Sequence, residues 1–355
     1  MEHVEAVVIG GGQSGLATAH ALAGAGLKPV VLEASDRAAG SWPHYYDGLT
    51  LFSPARFSAL PGLSFGGDPD RYPQRDEVVA YLTAYAARLQ ADIRTGHRVI
   101  AVEADGAGYT VELEGGGQLR TRAVVAASGS FGRPHRPDLP GLGAFAGQVL
   151  HAADYRSPAP FAGQRVVVVG AGNSAVQIAA ELAHESRTTL ATRAPVTFTR
   201  QRLLGKDLHF WLTRTGLDAA PLGRLLRTPP ATPVLDDGRY RAALTARTAR
   251  TPDRRPMFSR LTDDRVTWAD GTTERLDALI LATGYRPHLP YLAGLGGVLD
   301  PAGRPRHRGG TSPTRPGLEF VGLEWQRSLS SNTLRGVGRD AARAARRIAA
   351  RLART

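Results

Sequence analysis

Two short glycine-rich stretches carry the most legible chemistry in this chain. Gly10-Gly11-Gly12-Gln13-Ser14-Gly15 fits the pattern G-x-G-x-x-G, and Gly170-Ala171-Gly172-Asn173-Ser174-Ala175 fits its G-x-G-x-x-A variant. In such loops the first glycine turns the chain sharply out of a strand. The second has no side chain, so the backbone can approach a pyrophosphate. The third position lets the following helix sit close on the strand. Unpaired N–H groups and the positive end of the helix dipole then face the phosphates. One such loop is a weak signal. Two, 160 residues apart, imply two dinucleotides on one chain, and so the passage of electrons from one to the other.

The residues around the loops tell the two sites apart. Each loop follows a β-branched run, Val7-Val8-Ile9 or Val166-Val167-Val168-Val169, and each opens into an alanine-rich helical stretch. After the first, a second strand, Pro29-Val30-Val31-Leu32, ends at Glu33, where such sites place the carboxylate that binds a ribose hydroxyl. After the second, Thr188-Thr189-Leu190-Ala191-Thr192 ends at Arg193. An acid there would repel a 2′-phosphate, whereas arginine pairs with one bidentately. The first site therefore suits a nucleotide with a free 2′-hydroxyl, and the second suits NADP.

The elements that position these loops follow from hydrophobic period. Residues 1–33 and 163–195 each read as a β-α-β unit. Between them lie a long Gly/Pro/aromatic loop at 34–75, a helix from Asp76 to Gln90, and strands at His97–Glu103, Tyr109–Leu113 and Ala123–Ala127. The last of these strands runs into Ser128-Gly129. Residues 130–162 are proline-rich and mark a crossing to a second domain. Residues 196–258 carry little pattern. Strands are expected at Val266-Thr267-Trp268, Asp277–Ala282 and Glu319–Leu323, and a helix from about Val337. The fold class is α/β.

Composition narrows the classes. The chain has 355 residues, 42% hydrophobic and 21% charged, ordinary for a globular protein. Formal net charge is +12, yet only Lys28 and Lys206 are lysines, so 42 of the 44 basic residues are arginine. They are scattered, and no nucleic-acid motif accompanies them. The arginines of the tail from Arg339 to Arg351 read as a solvated helix face. The positive field suits anionic cofactors. There is no cysteine, which removes a redox-active dithiol, an Fe–S cluster and a Cys-ligated metal; no metal site is expected. No apolar run approaches the ~20 residues of a membrane span. A strand begins within four residues of the start, leaving no room for a signal peptide, so a cytoplasmic location is expected.

Between the two loops stands Phe145-Ala146-Gly147-Gln148-Val149-Leu150-His151-Ala152-Ala153-Asp154-Tyr155. It fits F-x-G-x-x-x-H-x-x-x-[F/Y], and here the chain resembles the flavin-containing monooxygenases, class B flavoproteins. Gly40-Ser41-Trp42 is similar to their flavin loop, and Ala282-Thr283-Gly284-Tyr285 to their A-T-G-Y motif. The segments Val321–Arg327 and Gly336–Asp340 resemble the short bacterial CzcO-like members. Tyr155 favours the N- and S-oxidising or auxin-synthesis-like branch over Baeyer–Villiger oxidation.

The resemblance implies two Rossmann-like dinucleotide-binding domains in a glutathione-reductase-like arrangement. FAD would bind a discontinuous domain, 1–155 with 290–355, and NADPH an inserted domain, 156–289. Residues expected to hold cofactor are Gly10, Gly12, Gln13, Ser14, Gly15, Glu33, Gly40, Ser41, Trp42, Val99, Ser128 and Gly129, then Gly170, Gly172, Asn173, Ser174, Ala175, Arg193, Thr283 and Gly284. NADPH would reduce FAD, O₂ would add as co-substrate, and a C4a-(hydro)peroxyflavin would oxygenate a small molecule. The target would be a nucleophilic nitrogen or sulfur, or a keto acid losing CO₂. The rival reading is an NADPH-dependent flavoprotein oxidase or reductase that oxygenates nothing. One departure bears on the choice: where many members carry Asn in T-N-x-P, this chain reads Leu51-Phe52-Ser53-Pro54. Ser53, His151, Gln326 and Asn332 are the candidates for a catalytic role. A homodimer stays open as a partner.

Overall fold

The computed structural model describes residues 1–224, 233–236, 239–245 and 251–354. Its frame is two five-stranded parallel sheets in which four strands share one order, while the fifth, an edge strand, is the last of its sheet along the chain in one and the first in the other. In the first, Ala6–Ile9 is central, flanked by Pro29–Leu32 then Asp92–Arg94 on one side, and by Val124–Ala126 then Leu318–Phe320 on the other. In the second, Arg165–Val169 is central, flanked by Arg187–Thr192 then Asp253–Pro256, and by Ala278–Leu281 then Gln148–His151. The runs AVVI and RVVVV are central because parallel strands covered on both faces read as continuous β-branched stretches. Every residue of Ala6–Ile9 is buried, as is every residue of Ala278–Leu281.

Each sheet is covered on two faces. Helices Gln13–Gly24, Arg75–Ala86 and Leu334–Leu352 pack through Leu16, Leu22, Leu82, Val337 and Ile348 onto one face of the first. On its other face lies a four-stranded sheet of Glu2–Val4, Gln118–Thr121, Gly108–Leu113 and Val99–Asp105. Helix Asn173–Leu182 covers the second sheet through Val176, Ile178 and Leu182. The antiparallel strands Arg260–Thr262, Arg265–Thr267 and Thr273–Arg275 cover its opposite face.

Three expectations shift. Gln148–His151 is an edge strand of the second sheet, paired with Ala278–Leu281, so the chain crosses before residue 148 rather than at 155/156. Gly147 permits the pairing: a Cβ there would lie 2.7 Å from the Asp277 carbonyl oxygen. The final helix begins at Leu334, and several of its arginines are not simply solvated. Arg335 and Arg339 pair with buried Asp218, and Arg347 with buried Glu319. Buried carboxylates from other elements, invisible to helical periodicity, draw them in. The weakly patterned 196–258 supplies the edge strand Asp253–Pro256, the hairpin Arg202–Leu203/Lys206–Asp207 and helix Leu208–Arg214. Its residues 225–232, 237–238 and 246–250 lie outside those described.

Candidate active site

Both glycine loops are built as their sequence demands. Gly10 has φ +107°, and a Cβ on it would lie 2.7 Å from the Ala127 carbonyl oxygen. Gly15 is tighter still: its Cβ would sit 1.8 Å from the Gly10 carbonyl oxygen, so nothing larger lets the helix seat. Gly12 differs in kind. A Cβ there would touch only the Gly40 Cα, at 3.6 Å, an ordinary contact. Packing alone does not require its missing side chain. In the second loop Gly170 has φ +146° and its Cβ would meet the Ala282 carbonyl oxygen at 2.3 Å, while Gly172 has nothing within 4 Å. Each loop thus leaves a cradle that a side chain would fill, at the N-terminus of a helix. That fits a pyrophosphate in each.

The first loop is enclosed. Glu33 is 6% exposed; its Oε2 accepts from the Gly11 N–H at 2.5 Å, and its Oε1 accepts from the Ser35 N–H and hydroxyl. Gly40 closes over Gly12. Ser41 precedes a short 3-10 turn, Trp42–His44. Trp42 Nε1 donates to Gln13 Oε1 at 2.8 Å, and Gln13 Nε2 reaches the Asn332 carbonyl at 3.4 Å. Gly322, just past Leu318–Phe320, packs against Ser14 so closely that a Cβ would lie 2.0 Å from its hydroxyl. The Ser128 hydroxyl lies 2.8 Å from both the His288 carbonyl and the Tyr291 hydroxyl, and Gly129 has φ +71°. Val99 packs with Val30 and Leu32 beside the strand that delivers Glu33.

The second loop is open. Ala171 and Gly172 are exposed, Asn173 and Ser174 half-buried, and Ala175 buried in the helix–sheet seam. Arg193 is exposed just past Arg187–Thr192, with no ion pair among the described residues.

His151 joins the crossing motif to Ala282-Thr283-Gly284-Tyr285. It is fully buried. Its Nδ1 accepts from the Ala153 N–H at 3.1 Å, so its Nε2 carries the proton and donates to the Gly284 carbonyl at 3.1 Å. Burial, and then Arg136, hold its pKa below the usual value. A neutral imidazole with both nitrogens engaged ties the two segments together and leaves neither nitrogen free for proton transfer. Thr283 donates to the His135 carbonyl. Tyr155 is buried, its hydroxyl 3.2 Å from Glu181.

The other candidates scatter. Ser53 is 7% exposed and bonds Ser58 within its own loop. Gln326 Nε2 donates to the Phe320 carbonyl, and its Oε1 accepts from the Leu323 N–H, so both ends hold backbone. Of Ser53, Gln326 and Asn332, only Asn332 reaches the first loop, and it does so through its carbonyl.

Two features were not read from sequence. An aromatic chain runs Trp42–Tyr45 (ring centroids 5.5 Å apart), Tyr45–Phe131 (4.8 Å), Phe131–Tyr285 (5.3 Å) and Tyr285–His151 (5.1 Å), linking the flavin-like loop to the junction. No single motif holds it. The second feature is a narrow cleft between the 34–75 loop and the second unit, of about 310 Å³ when the open solvent at its mouth is counted. Thr50, Phe52 and Tyr72 line one side, and Gln177, Gln201 and Tyr240 the other. Tyr46 donates to Gln177 Oε1 at 2.9 Å and Gln177 Nε2 donates to the Thr50 carbonyl at 3.3 Å, tying the long loop to the first turn of the second helix.

A two-sheet frame with two glycine cradles and a cleft at their junction defines a two-nucleotide oxidoreductase. Residues 7–213 match the family model described as pyridine nucleotide-disulphide oxidoreductase. A flavin-containing monooxygenase from Stenotrophomonas maltophilia is 34% identical and superposes with a TM-score of 0.85, over 99% of this chain and 100% of that one. Indole-3-pyruvate monooxygenase YUCCA1 of Oryza sativa subsp. japonica is 35% identical over 318 residues, 80% of this chain and 77% of the relative. The oxidoreductase CzcO of Bacillus subtilis is 30% identical over 344 residues, covering 95% of this chain and 96% of its own. The chain belongs to the pyridine nucleotide-disulphide oxidoreductase family, among its flavin-containing monooxygenases. It is an oxidoreductase of the kind that uses FAD, NADPH and O₂. It has no cysteine for the disulphide chemistry that the family's name describes. No described helix is long and apolar enough to cross a membrane.

Proposed function

We propose that FAD occupies the enclosed first loop and NADPH the open second one, and that the cleft where the two units meet takes the small molecule to be oxygenated at nitrogen or sulfur, or oxidatively decarboxylated. On this reading the FAD-binding body is the first sheet with its C-terminal helix, and the NADPH-binding body is the second sheet from residue 148 to about 289. The single observation that carries the reading is the junction: Tyr46 and Thr50, from the long loop after Glu33, clasp Gln177, one turn into the second loop's helix, beside the cleft.

Gly10, Gly12 and Gly15 admit the flavin pyrophosphate, Gln13 and Trp42 fix the loop beside it, and Glu33 turns from the Gly11 N–H to a ribose hydroxyl. Gly172 and the N-terminal turn at Asn173 and Ser174 take the second pyrophosphate, and Arg193 its 2′-phosphate. When bound, the flavin accepts a hydride from the nicotinamide and activates O₂. The chain binds, orients and excludes water. The oxidase or reductase alternative is disfavoured by 34% identity to a solved flavin-containing monooxygenase over nearly the whole chain.

The test is the purified protein itself. It should be yellow, and anaerobic NADPH should bleach it far faster than NADH. A colourless protein that takes up no FAD overturns the assignment.

A further inference from the structure

Exposed apolar surface is unevenly spread over this chain. Of the six large apolar side chains exposed among the described residues, four are Leu203, Leu204, Leu217 and Leu222. Leu204 is the extreme, 90% exposed at the tip of the hairpin Arg202–Leu203/Lys206–Asp207. The two residues between the strands, Leu204 and Gly205, have φ +49° and +73°. Positive φ at both places defines a type I′ turn, whose first place ordinarily goes to asparagine, aspartate or glycine. A leucine is strained there by its Cβ. Scattered surface leucines are ordinary. This one is held in an unfavourable backbone and packs against almost nothing in its own chain.

The base of the hairpin is firm, so the tip is presented rather than loose. The Leu208 N–H donates to the Gln201 carbonyl at 2.7 Å, and Trp211 Nε1 to the Leu203 carbonyl at 3.0 Å. Asp207 accepts from the Tyr72 hydroxyl at 2.7 Å and from Gln201 Nε2 at 2.6 Å. The charge around the tip is of one sign. Arg200, Arg202, Lys206 and Arg214 are exposed, with no ion pair among the described residues. The two acids between residues 200 and 223 lie inside the fold. Asp207's side chain is 9% exposed, and Asp218's is 3% exposed and holds Arg335 and Arg339.

We propose that this hairpin docks the protein on an anionic lipid surface, with Leu203 and Leu204 entering the boundary between headgroups and acyl chains and Arg200, Arg202, Lys206 and Arg214 against the lipid phosphates. Apolar side chains ringed by cations, with half-buried Trp211 beside them, are the composition of an interfacial anchor. The other occupants fit less well. A second copy docked tip to tip would set four cations against four. A protein partner needs roughly 800 Å² of matched surface, which a tip two residues wide does not offer. Lipid accepts a protruding side chain without a matching shape.

Co-sedimentation of the full chain with vesicles tests it, using phosphatidylcholine alone and phosphatidylcholine with phosphatidylglycerol. Binding to the anionic vesicles should be at least about 10-fold tighter, since each cation near such a surface contributes severalfold, and added salt should weaken it. Leu204→Asn should weaken vesicle binding about 10-fold, the scale of burying one leucine. The same change should leave the denaturant midpoint unchanged or raise it, because asparagine suits the turn. Charge reversal by Lys206→Glu with Arg214→Glu should remove the preference for anionic vesicles. A lowered midpoint in Leu204→Asn would mean that the leucine serves the fold, and would overturn the proposal. So would wild-type protein that binds neither vesicle or both alike. Self-association that Leu204→Asn abolishes, without vesicle binding, would assign the tip to a second copy and overturn it too.

Discussion

The two glycine loops share a sequence pattern and a place between a central strand and a helix, but not a degree of enclosure. The first is closed in by Gly40, Gly322 and Trp42, and its Gly11 N–H is held by buried Glu33. The second lies open: Gly172 meets nothing within 4 Å, and Arg193 stands exposed without an ion pair among the described residues. The difference matches two roles for a dinucleotide. On the proposed assignment, a dinucleotide in the first loop would be hard to release and stay as a prosthetic group, and one in the second would come and go each turnover, as a reductant must.

The strongest way to break this contrast is to fill each cradle in turn. The Cβ of Gly12→Val makes only an ordinary contact with the Gly40 Cα, so the protein should fold yet purify without flavin. Gly172→Val should stay yellow and lose reduction by NADPH. Absorption spectra and anaerobic titration read both, and a Gly12→Val protein with full flavin content would refute the assignment of the first loop.

The junction between the units comes next in size. Asp218, 2% exposed, holds Arg335 and Arg339 of the C-terminal helix at 3.0 and 2.7 Å. Removing one partner of a buried pair costs about 3–5 kcal/mol. Asp218→Ala should lower stability in denaturant titration by that order; a change under about 1 kcal/mol, the worth of a surface pair, would mean that the pair is solvated.

Arg193→Ala sharpens the comparison at the second loop alone. Losing a charge-assisted bond to a 2′-phosphate costs about 1.5–3 kcal/mol, so KM for NADPH should rise roughly 10- to 150-fold with NADH nearly unchanged. Equal effects on the two would remove Arg193 from the reading of that phosphate.

The smallest effect is on pH. Burial keeps His151 neutral in the fold, so its folded pKa lies below its unfolded one. As pH falls below about 6.5, the unfolded chain takes up a proton that the native chain refuses, and stability drops. At higher pH the contribution is intact. Thermal melts across pH 5–8 should show this slope, and His151→Gln should flatten it. An unchanged slope would mean that His151 does not titrate as its burial implies.

Much of this was legible in the sequence where the signal is local. Val7–Ile9 before Gly10, and Val166–Val169 before Gly170, specify strand, turn and helix within a dozen residues, and both units form as read. What escaped is built from distant segments. Gln148–His151 belongs to the second sheet because Gly147 lets it approach Asp277, a partner 130 residues away. Arg335, Arg339 and Arg347 read as solvent-facing until the folded chain sets Asp218 and Glu319 against them. Of Ser53, His151, Gln326 and Asn332, residue type gave no way to choose. Ser53 and Gln326 are spent within their own loops, His151 holds the Gly284 carbonyl, and Asn332 reaches Gln13 only by its backbone. The hydrogen-bonded cluster of Tyr72, Gln201 and Asp207 shares no motif and meets only in three dimensions.

The central claim, that electrons entering at the second loop end in an oxygenated product, is tested most directly with heavy-isotope-labelled dioxygen. For a substrate that accelerates NADPH consumption, one labelled oxygen atom should appear in the product, or CO₂ should be released, in step with the NADPH used. If no label enters any product, no CO₂ is lost and hydrogen peroxide accounts for all the NADPH, the protein is an oxidase and the monooxygenase account fails.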